Sequence, residues 1–446
     1  MEVRPNNTNK QMLRNGNEQN RGTVLLCGFG KRKEPNKRTV PLFGIKRDEM
    51  NGHHAVLIND QQEARQFLEE IGSSAGGIEI MIPKAVFKCI KLKNISNRAA
   101  NILKQEMLAK GGEAAVAKDA LSIEGQHDVL LMGNLKQYRL LTAKLKMQPW
   151  GLKTIAGEIE TILAALENRS WNMPLPHGRS LEIGTKTIIM GILNVTPDSF
   201  SDGGRFFDVE KAVEHGLEMV AEGADIIDIG GASSRPDSQM ADGAEEMRRI
   251  VPVIERLAAQ NIILSVDTFR ARVAEAALGA GVHIINDIGG FEMDPELLEV
   301  VSRWQAPLVL MHNRMQIKPD EIYSDLVADV ILDLEQSIAR AVEAGLDQER
   351  IIIDPGLGFG KTVAQNLLLI KRLQDFRSLG RPILIGASRK SFIGRTLDRE
   401  PRERLEGSLA AVVMSIMNGA DIVRVHDVKE TQMAARMTDA VRFSNG

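Results

Sequence analysis

The chain has only two cysteines, Cys27 and Cys89, in 446 residues. Two thiols exclude a disulfide framework and a cysteine zinc site, and they fit a reducing cytoplasm. No run of about 18 apolar residues occurs, so no membrane span is expected. Neither sign of charge dominates. The formal net charge is -3, and nothing global favours nucleic acid or an anionic membrane surface as a partner. Basic residues gather only at Lys31, Arg32, Lys33, Lys37 and Arg38, which read as a solvated loop. Residues 1–20 are polar and Asn-rich. They lack the apolar segment of a secretory signal and read as a disordered tail. Neither half of the chain carries a sustained short repeat or a low-complexity array.

What the chain does have is length and rhythm. It exceeds the roughly 250–300 residues beyond which single cores stop growing, so two domains are expected. From about Lys186 onward, short runs rich in Ile, Val and Leu alternate with amphipathic stretches. The strand candidates are Lys186–Leu193, Asp225–Gly230, Ile262–Asp267, His283–Asp287, Pro307–His312, Ile351–Asp354, Ile383–Gly386 and Asp421–His426. These runs barely alternate, as parallel strands buried on both faces do. One intervening helix, Val209–Ala221, places Ala212, Val213, Leu217, Val220 and Ala221 on one stripe and is closed by Gly223. Another, Ala328–Ala344, is closed by Gly345. Strand–helix units of this number over about 250 residues predict a C-terminal (β/α)8 TIM barrel spanning residues 186–446, with a doubly wound open sheet as the competing architecture.

Ahead of it, residues 21–167 read as a smaller α/β domain. Ala55–Ile58 is a strand candidate followed by a helix at Gln61–Ile71. Ser96 or Asn97 caps a helix ending at Gly111, Asp128–Met132 is a strand, and helices follow near Leu135–Met147 and Ile155–Leu166. Residues 168–185, with Pro174, Pro176 and Gly178, read as linker and barrel entry. Cys27–Lys31 lacks the spacing of a phosphate loop, and His53–His54 lacks a third ligand.

A barrel of this kind carries its chemistry after the C-terminal ends of its strands. There the sequence puts Asn194 with a loop dense in Asn, Thr, Asp and Ser, then Gly230–Pro236, Ser265–Thr268, Asn286–Asp287, Met311–Arg314, Asp354–Lys361, Gly386–Ser391 and Arg424–Asp427. Singly, each has a bland explanation: an Asp after a strand often caps the next helix. Jointly they bring carboxylates, amides and cations to one mouth. Asp267, Asn286, Asp354 and Lys390 supply acceptors and donors for a heterocycle with amide and amino edges. Arg424, His426 and the Asn194 loop supply cations and metal-binding oxygens for a phosphate-bearing group. Mg²⁺ fits a site of amide oxygen, water and phosphate; zinc does not.

These segments, above all Met190–Gly204 and Asp354–Thr362, resemble the dihydropteroate synthases, a family of pterin-binding TIM barrels. Arg404–Ser408 adds a further family-like stretch. The resemblance implies condensation of 6-hydroxymethyl-7,8-dihydropterin pyrophosphate with 4-aminobenzoate. It implies that Asp267, Asn286, Asp354 and Lys390 hold the pterin, Asn194 helps bind Mg²⁺, and Arg424 and His426 hold pyrophosphate. Asp354, Lys390, Arg424 and His426 are the catalytic candidates. Ser234 stands where the family has a substrate-touching Thr. Arg235, Pro236, Phe359 and Ser391 border the aminobenzoate pocket, the place that sulfonamides occupy. A cytoplasmic homodimer is implied as well. The second loop departs from the family's Gly-Gly-Glu-Ser-Thr-Arg-Pro-Gly: Ala232 stands for Glu, Ser234 for Thr, and Asp237 follows the proline. Alternatives are a corrinoid-linked methyltransferase barrel, although no Asp-x-His-x-x-Gly motif occurs, and a non-catalytic pterin-binding paralogue.

Overall fold

The structure, a computed structural model, describes residues 52–120, 124–195, 205–231, 242–314 and 322–444, without the side chains of residues 205–208. The chain divides into two units, Met1–Leu57 and Ile58–Gly446. Only residues 52–57 of the first are described, and residues 55–58 form no strand, contrary to expectation.

The second unit opens with helices α1 (Gln61–Glu70) and α2 (Ala75–Ala85). The Asp60 carboxylate caps α1 by accepting from the backbone N–H of Gln62 and Glu63, both at 3.0 Å. A three-stranded antiparallel sheet follows, formed by β1 (Phe87–Ser96), β2 (Glu113–Ala115) and β3 (Gln126–Asn134) in the order β1-β3-β2. Helices α3 (Asn97–Ala109), α4 (Leu135–Leu145) and α5 (Leu152–Glu167) cover it. β1 was not anticipated, yet its pattern is legible. Ile90 and Leu92 are buried while Lys91 and Lys93 face out, the period of a half-buried strand. Tyr138 of α4 is fully buried, and its hydroxyl donates to the carbonyl oxygens of Leu131 and Lys88 across the β1–β3 pair.

The barrel strands are β6 (Ile188–Asn194), β7 (Ile226–Gly230), β8 (Ile263–Asp267), β9 (Ile284–Asp287), β10 (Leu308–Met311), β11 (Ile351–Asp354), β12 (Leu384–Ile385) and β13 (Ile422–Val425). They follow the eight predicted runs one for one. All neighbours pair in parallel, and a parallel bridge between Ile353 and Ile383 joins β11 to β12, which closes the cylinder and rules out the open sheet. Around it lie α6 (Arg205–Ala221), α7 (Gly243–Ala258), α8 (Ala271–Ala280), α9 (Leu297–Trp304), α10 (Leu326–Glu343), α11 (Val363–Lys371), α12 (Ser391–Leu397), α13 (Leu405–Met417) and α14 (Val428–Arg442). Gly223 and Gly345 both take the left-handed conformation expected of them, at φ 108° and 96°. In α6 the buried face is Ala212 and Met219 with Gly216; Leu217, assigned to that face from sequence, is exposed.

Residues 168–185 do more than link. Strands β4 (Trp171–Leu175) and β5 (Arg179–Ile183) form an antiparallel hairpin. Its Met173, Leu175, Leu181 and Ile183 pack against Ile188, Met190, Ile226, Ile284, Val309, Ile352, Leu384 and Ile422, one residue or more from nearly every barrel strand. The hairpin therefore plugs the floor of the cylinder. Truncating Met173 or Leu181 to Ala should cost about 2–5 kcal/mol through the cavity left behind. Urea unfolding tests this, and a loss below about 0.5 kcal/mol would show that the hairpin is dispensable to the core.

Candidate active site at the barrel mouth

Side chains along a strand alternate between its two faces. The floor cluster identifies the inward set: Ile188 and Met190 in β6, Ile226 in β7, Ile284 in β9, Val309 in β10, Ile352 in β11, Leu384 in β12 and Ile422 in β13. Counting on by twos toward the C-terminal ends gives Asn194, Asp228, Asn286, Met311, Asp354, Gly386, Arg424 and His426. One alternation thus carries apolar residues to the floor and polar ones to the mouth. Asp287, of the opposite parity, turns away. Its carboxylate accepts from the backbone N–H of Gly289 at 2.7 Å and of Phe291 at 2.9 Å, and so shapes a turn.

At the centre stands Arg424. Its Nε donates to Asp228 Oδ2 at 2.5 Å and its Nη2 to Asp267 Oδ2 at 2.7 Å. Asn286 Nδ2 donates to the same Asp228 oxygen at 3.0 Å, and Asp267 stands beside Asn286 in the β8–β9 register. Asp228 was missed from sequence. It is fully buried, and its Oδ1 has no hydrogen-bond partner among the described residues. Burial works against the charge on Arg424, but Asp228 and Asp267 outweigh it and raise its pKa. Burial pushes the Asp267 carboxyl upward, with Arg424 opposing.

Asp354 accepts from the backbone N–H of Gly356 at 2.7 Å through Oδ1. Burial raises its carboxyl to about 6 against the pull of Gly356, Lys390, Lys361 and Arg424. Lys390 lies with Nζ 4.1 Å from the centre of the Phe359 ring, a cation–π contact. Burial and the charge of Arg424 lower its ammonium to about 8, so it stays mainly protonated at neutral pH. Gly358, at φ 86°, lets the lysine lie along the loop: a Cβ there would come within 3.2 Å of Lys390 Cδ.

His426 differs from the expectation of a cation. Burial, then Arg389 and Arg424, lower its pKa to about 4. Ser388 Oγ accepts from the His426 backbone N–H at 3.2 Å and lies 3.0 Å from Nδ1. The ring is therefore neutral in the free site. Arg389 points outward to Asp427, while Ser391 is exposed at the start of α12. Arg404 and Ser408 hold the Arg389 turn, Arg404 Nη1 donating to the Arg389 carbonyl and Ser408 Oγ accepting its N–H, both at 3.0 Å. That gives the Arg404–Ser408 stretch a physical role.

Asn194 is exposed at the end of β6. A Cβ on the neighbouring Gly230 would lie 3.6 Å from Asn194 Oδ1 and 3.8 Å from Asp267 Cβ, so the two flank one gap. No group of three or more His, Cys, Asp or Glu gathers to hold a metal among the described residues. A hard cation drawing most of its oxygens from phosphate and water needs no such cluster, and the Asn194 amide fits it. Ser234, Arg235 and Pro236, with Ala232 and most of the first loop, lie outside the described residues.

A closed parallel barrel with this mouth is a pterin-binding enzyme, and the family model described as "Pterin binding enzyme" matches residues 190–426. The dihydropteroate synthase of Bacillus subtilis (strain 168) is 49% identical over 268 residues, 60% of this chain and 93% of that protein. A solved dihydropteroate synthase of Xanthomonas albilineans with 4-aminobenzoic acid is 44% identical with a TM-score of 0.58, covering 61% of this chain and 100% of its own. The probable bifunctional folylpolyglutamate synthase/dihydropteroate synthase of Halobacterium salinarum is 40% identical over 388 residues; that is 86% of this chain, which spans only 46% of that relative. The chain belongs to the dihydropteroate synthase family, transferases of folate biosynthesis.

Replacing Arg424 with Ala leaves the buried Asp228 and the part-buried Asp267 without their cation. The expected loss is about 3–5 kcal/mol of stability, read by denaturant unfolding. A loss under about 1 kcal/mol would show that the pair is hydrated and the mouth open to water.

Proposed function

We propose that this chain condenses 6-hydroxymethyl-7,8-dihydropterin pyrophosphate with 4-aminobenzoate, releasing pyrophosphate and forming 7,8-dihydropteroate. The observation that carries this reading is the convergence of Asp267, Asn286, Asp354 and Lys390 with Arg424 and His426 at one mouth.

Asp267 and Asp354 accept from the N–H edge of the pterin, and Asn286 and Lys390 complete its polar rim. Asp354 faces the positive charge that develops on the pterin as the C–O bond to diphosphate breaks. Stabilisation of charge that grows only in the transition state, by groups already oriented, is the dominant catalytic term. The leaving diphosphate meets Arg424 and the His426 ring. Asn194 would hold Mg²⁺ through its amide oxygen, and the metal would supply further neutralisation of the diphosphate. The arylamine nitrogen is already neutral and nucleophilic at pH 7. It bonds to the exocyclic methylene carbon and then loses a proton to water, so positioning replaces a dedicated base. Ser234, Arg235, Pro236, Phe359 and Ser391 border the aminobenzoate, which is also where sulfonamides would compete. Small molecules are thus the substrates, and neither nucleic acid nor a membrane is a partner.

A homodimer accords with the exposed apolar side chains Leu367, Leu368, Leu397, Met414 and Met417 on the adjoining helices α11, α12 and α13. No described helix is long and apolar enough to cross a membrane. A cytoplasmic location rests on the scarcity of cysteine.

Mixing the two substrates and Mg²⁺ with the protein should release pyrophosphate in step with dihydropteroate; no release under saturating substrates refutes the assignment. Lys390→Ala should abolish detectable pterin binding in calorimetry, and near-normal affinity would remove that lysine from the site. The Asp354 carboxyl is charged above about 6 and takes up a proton below it, which deletes an acceptor. Asp267 is pushed up to about 6 as well. Pterin affinity should therefore be at least about tenfold weaker at pH 5 than at pH 7.5, and Asp354→Asn should make this profile shallower, Asp267 contributing the rest. A flat profile in the unsubstituted protein would contradict the role.

A further inference from the structure

Lys361 takes no part in the chemistry above, yet it sits beneath the loop that does. The loop joining β11 to α11 turns through three left-handed glycines, Gly356, Gly358 and Gly360, at φ 71°, 86° and 63°. It is pressed against the end of β10: a Cβ on Gly356 would lie 1.9 Å from the carbonyl oxygen of His312. A loop so tightly folded turns carbonyls inward, where they need donors. Lys361 supplies them. Its ammonium donates to the carbonyl oxygens of Gly356 at 2.9 Å and Phe359 at 3.0 Å, lies 3.0 Å from His312 Nδ1, and reaches the His312 carbonyl at 3.4 Å.

Burial lowers the Lys361 ammonium to about 7, with Asp354 opposing; in its charged form it has three protons, and these acceptors take all of them. No proton is left to point at substrate. The far side of the knot is also closed. His312 Nε2 lies 3.0 Å from Asp333 Oδ2, and the same oxygen accepts from Arg314 Nε at 2.8 Å. Burial keeps the His312 ring neutral, its pKa lowered to about 4. It therefore accepts from Lys361 through Nδ1 and donates to Asp333 through Nε2–H. The result ties three elements together: the end of β10, the β11–α11 loop, and Asp333 on α10.

We propose that Lys361 is a positioning residue that sets the aminobenzoate side of the pocket, holding Phe359 in the place where its ring meets Lys390. This inference rests on the functional reading above. It assigns to Lys361 an effect on the second substrate that is transmitted through Phe359. Of the four pterin residues, Asp267 and Asn286 sit on other strands and do not touch the knot, while Asp354 and Lys390 border it through Gly356 and Phe359, so a smaller effect on the pterin accompanies the larger one on the second substrate. Lys361→Met keeps an unbranched side chain, one atom shorter, and removes every donor, leaving the Gly356 and Phe359 carbonyls unsatisfied.

The test is steady-state pyrophosphate release combined with pterin calorimetry, on the full chain. Lys361→Met should raise KM for 4-aminobenzoate at least tenfold while the Kd for a pterin changes less than threefold. Lys361→Arg, which retains donors, should recover most of that KM. Added to Phe359→Ala, Lys361→Met should raise KM little further, because the two act through one ring. Equal losses for both substrates, additive effects with Phe359→Ala, or an unchanged KM each overturn the proposal. So does a kcat loss with a displaced pH profile at constant KM, which would make Lys361 an acid–base group. If Lys361→Met does not fold, Lys361→Gln, whose single amide cannot satisfy both carbonyls, decides: a KM for 4-aminobenzoate raised at least fivefold with pterin Kd changed less than threefold supports positioning, and equal losses refute it. An inactive unsubstituted protein would overturn the functional reading, and this inference with it. Normal activity with an indifferent Lys361→Met overturns this inference alone.

Discussion

The site depends on one guanidinium held between a fully buried carboxylate and a part-buried one. Arg424 reaches across the mouth from β13 to Asp228 on β7 and Asp267 on β8. Removing these charges from water is costly, and only their close, directional pairing offsets it. The same enclosure raises Asp267 and Asp354 toward neutrality while leaving Arg424 and Lys390 charged. A mouth of this kind is poised for a ligand that brings N–H donors to the carboxylates and negative charge to the cations.

The rest of the barrel keeps that arrangement rigid. The floor is filled by the β4–β5 hairpin, so the cylinder is a packed core below and a polar cup above. At the rim, Arg404 and Ser408 brace the Arg389 turn, and Lys361 braces the Phe359 loop. The leading α/β module also reaches toward the catalytic face: Lys91 of β1 pairs with Asp325, whose carboxylate caps α10 by accepting from Ala328. That helix carries Asp333, the partner of His312 and Arg314. An exposed ion pair of this sort contributes little to stability; its interest is where it lies.

The barrel was legible because each strand is a short apolar run that ends abruptly in polar residues, and the eight runs map onto eight strands. The polar residues were legible as a set for the same reason. Asp228 was not, because it sits inside an apolar run, Ile226–Gly230, rather than after it. Its parity with Ile226 was the available signal, since a residue two positions on faces the same interior. The hairpin hid behind Pro174, Pro176 and Gly178, which read as breakers; in a two-stranded ribbon both strands are edges, and a proline fits there. The neutrality of His426 and the closed shell of Lys361 lay beyond sequence, because both follow from burial and from partners far away in the chain.

The central claim is that one mouth binds a pterin through Asp267, Asn286, Asp354 and Lys390. A crystal structure of this chain with a bound dihydropterin tests it most directly. The account predicts the heterocycle within hydrogen-bond distance of all four side chains, on the open side of the Arg424 pair. A pterin seated elsewhere, or one that leaves Asp267 and Asp354 without a ligand, would contradict it.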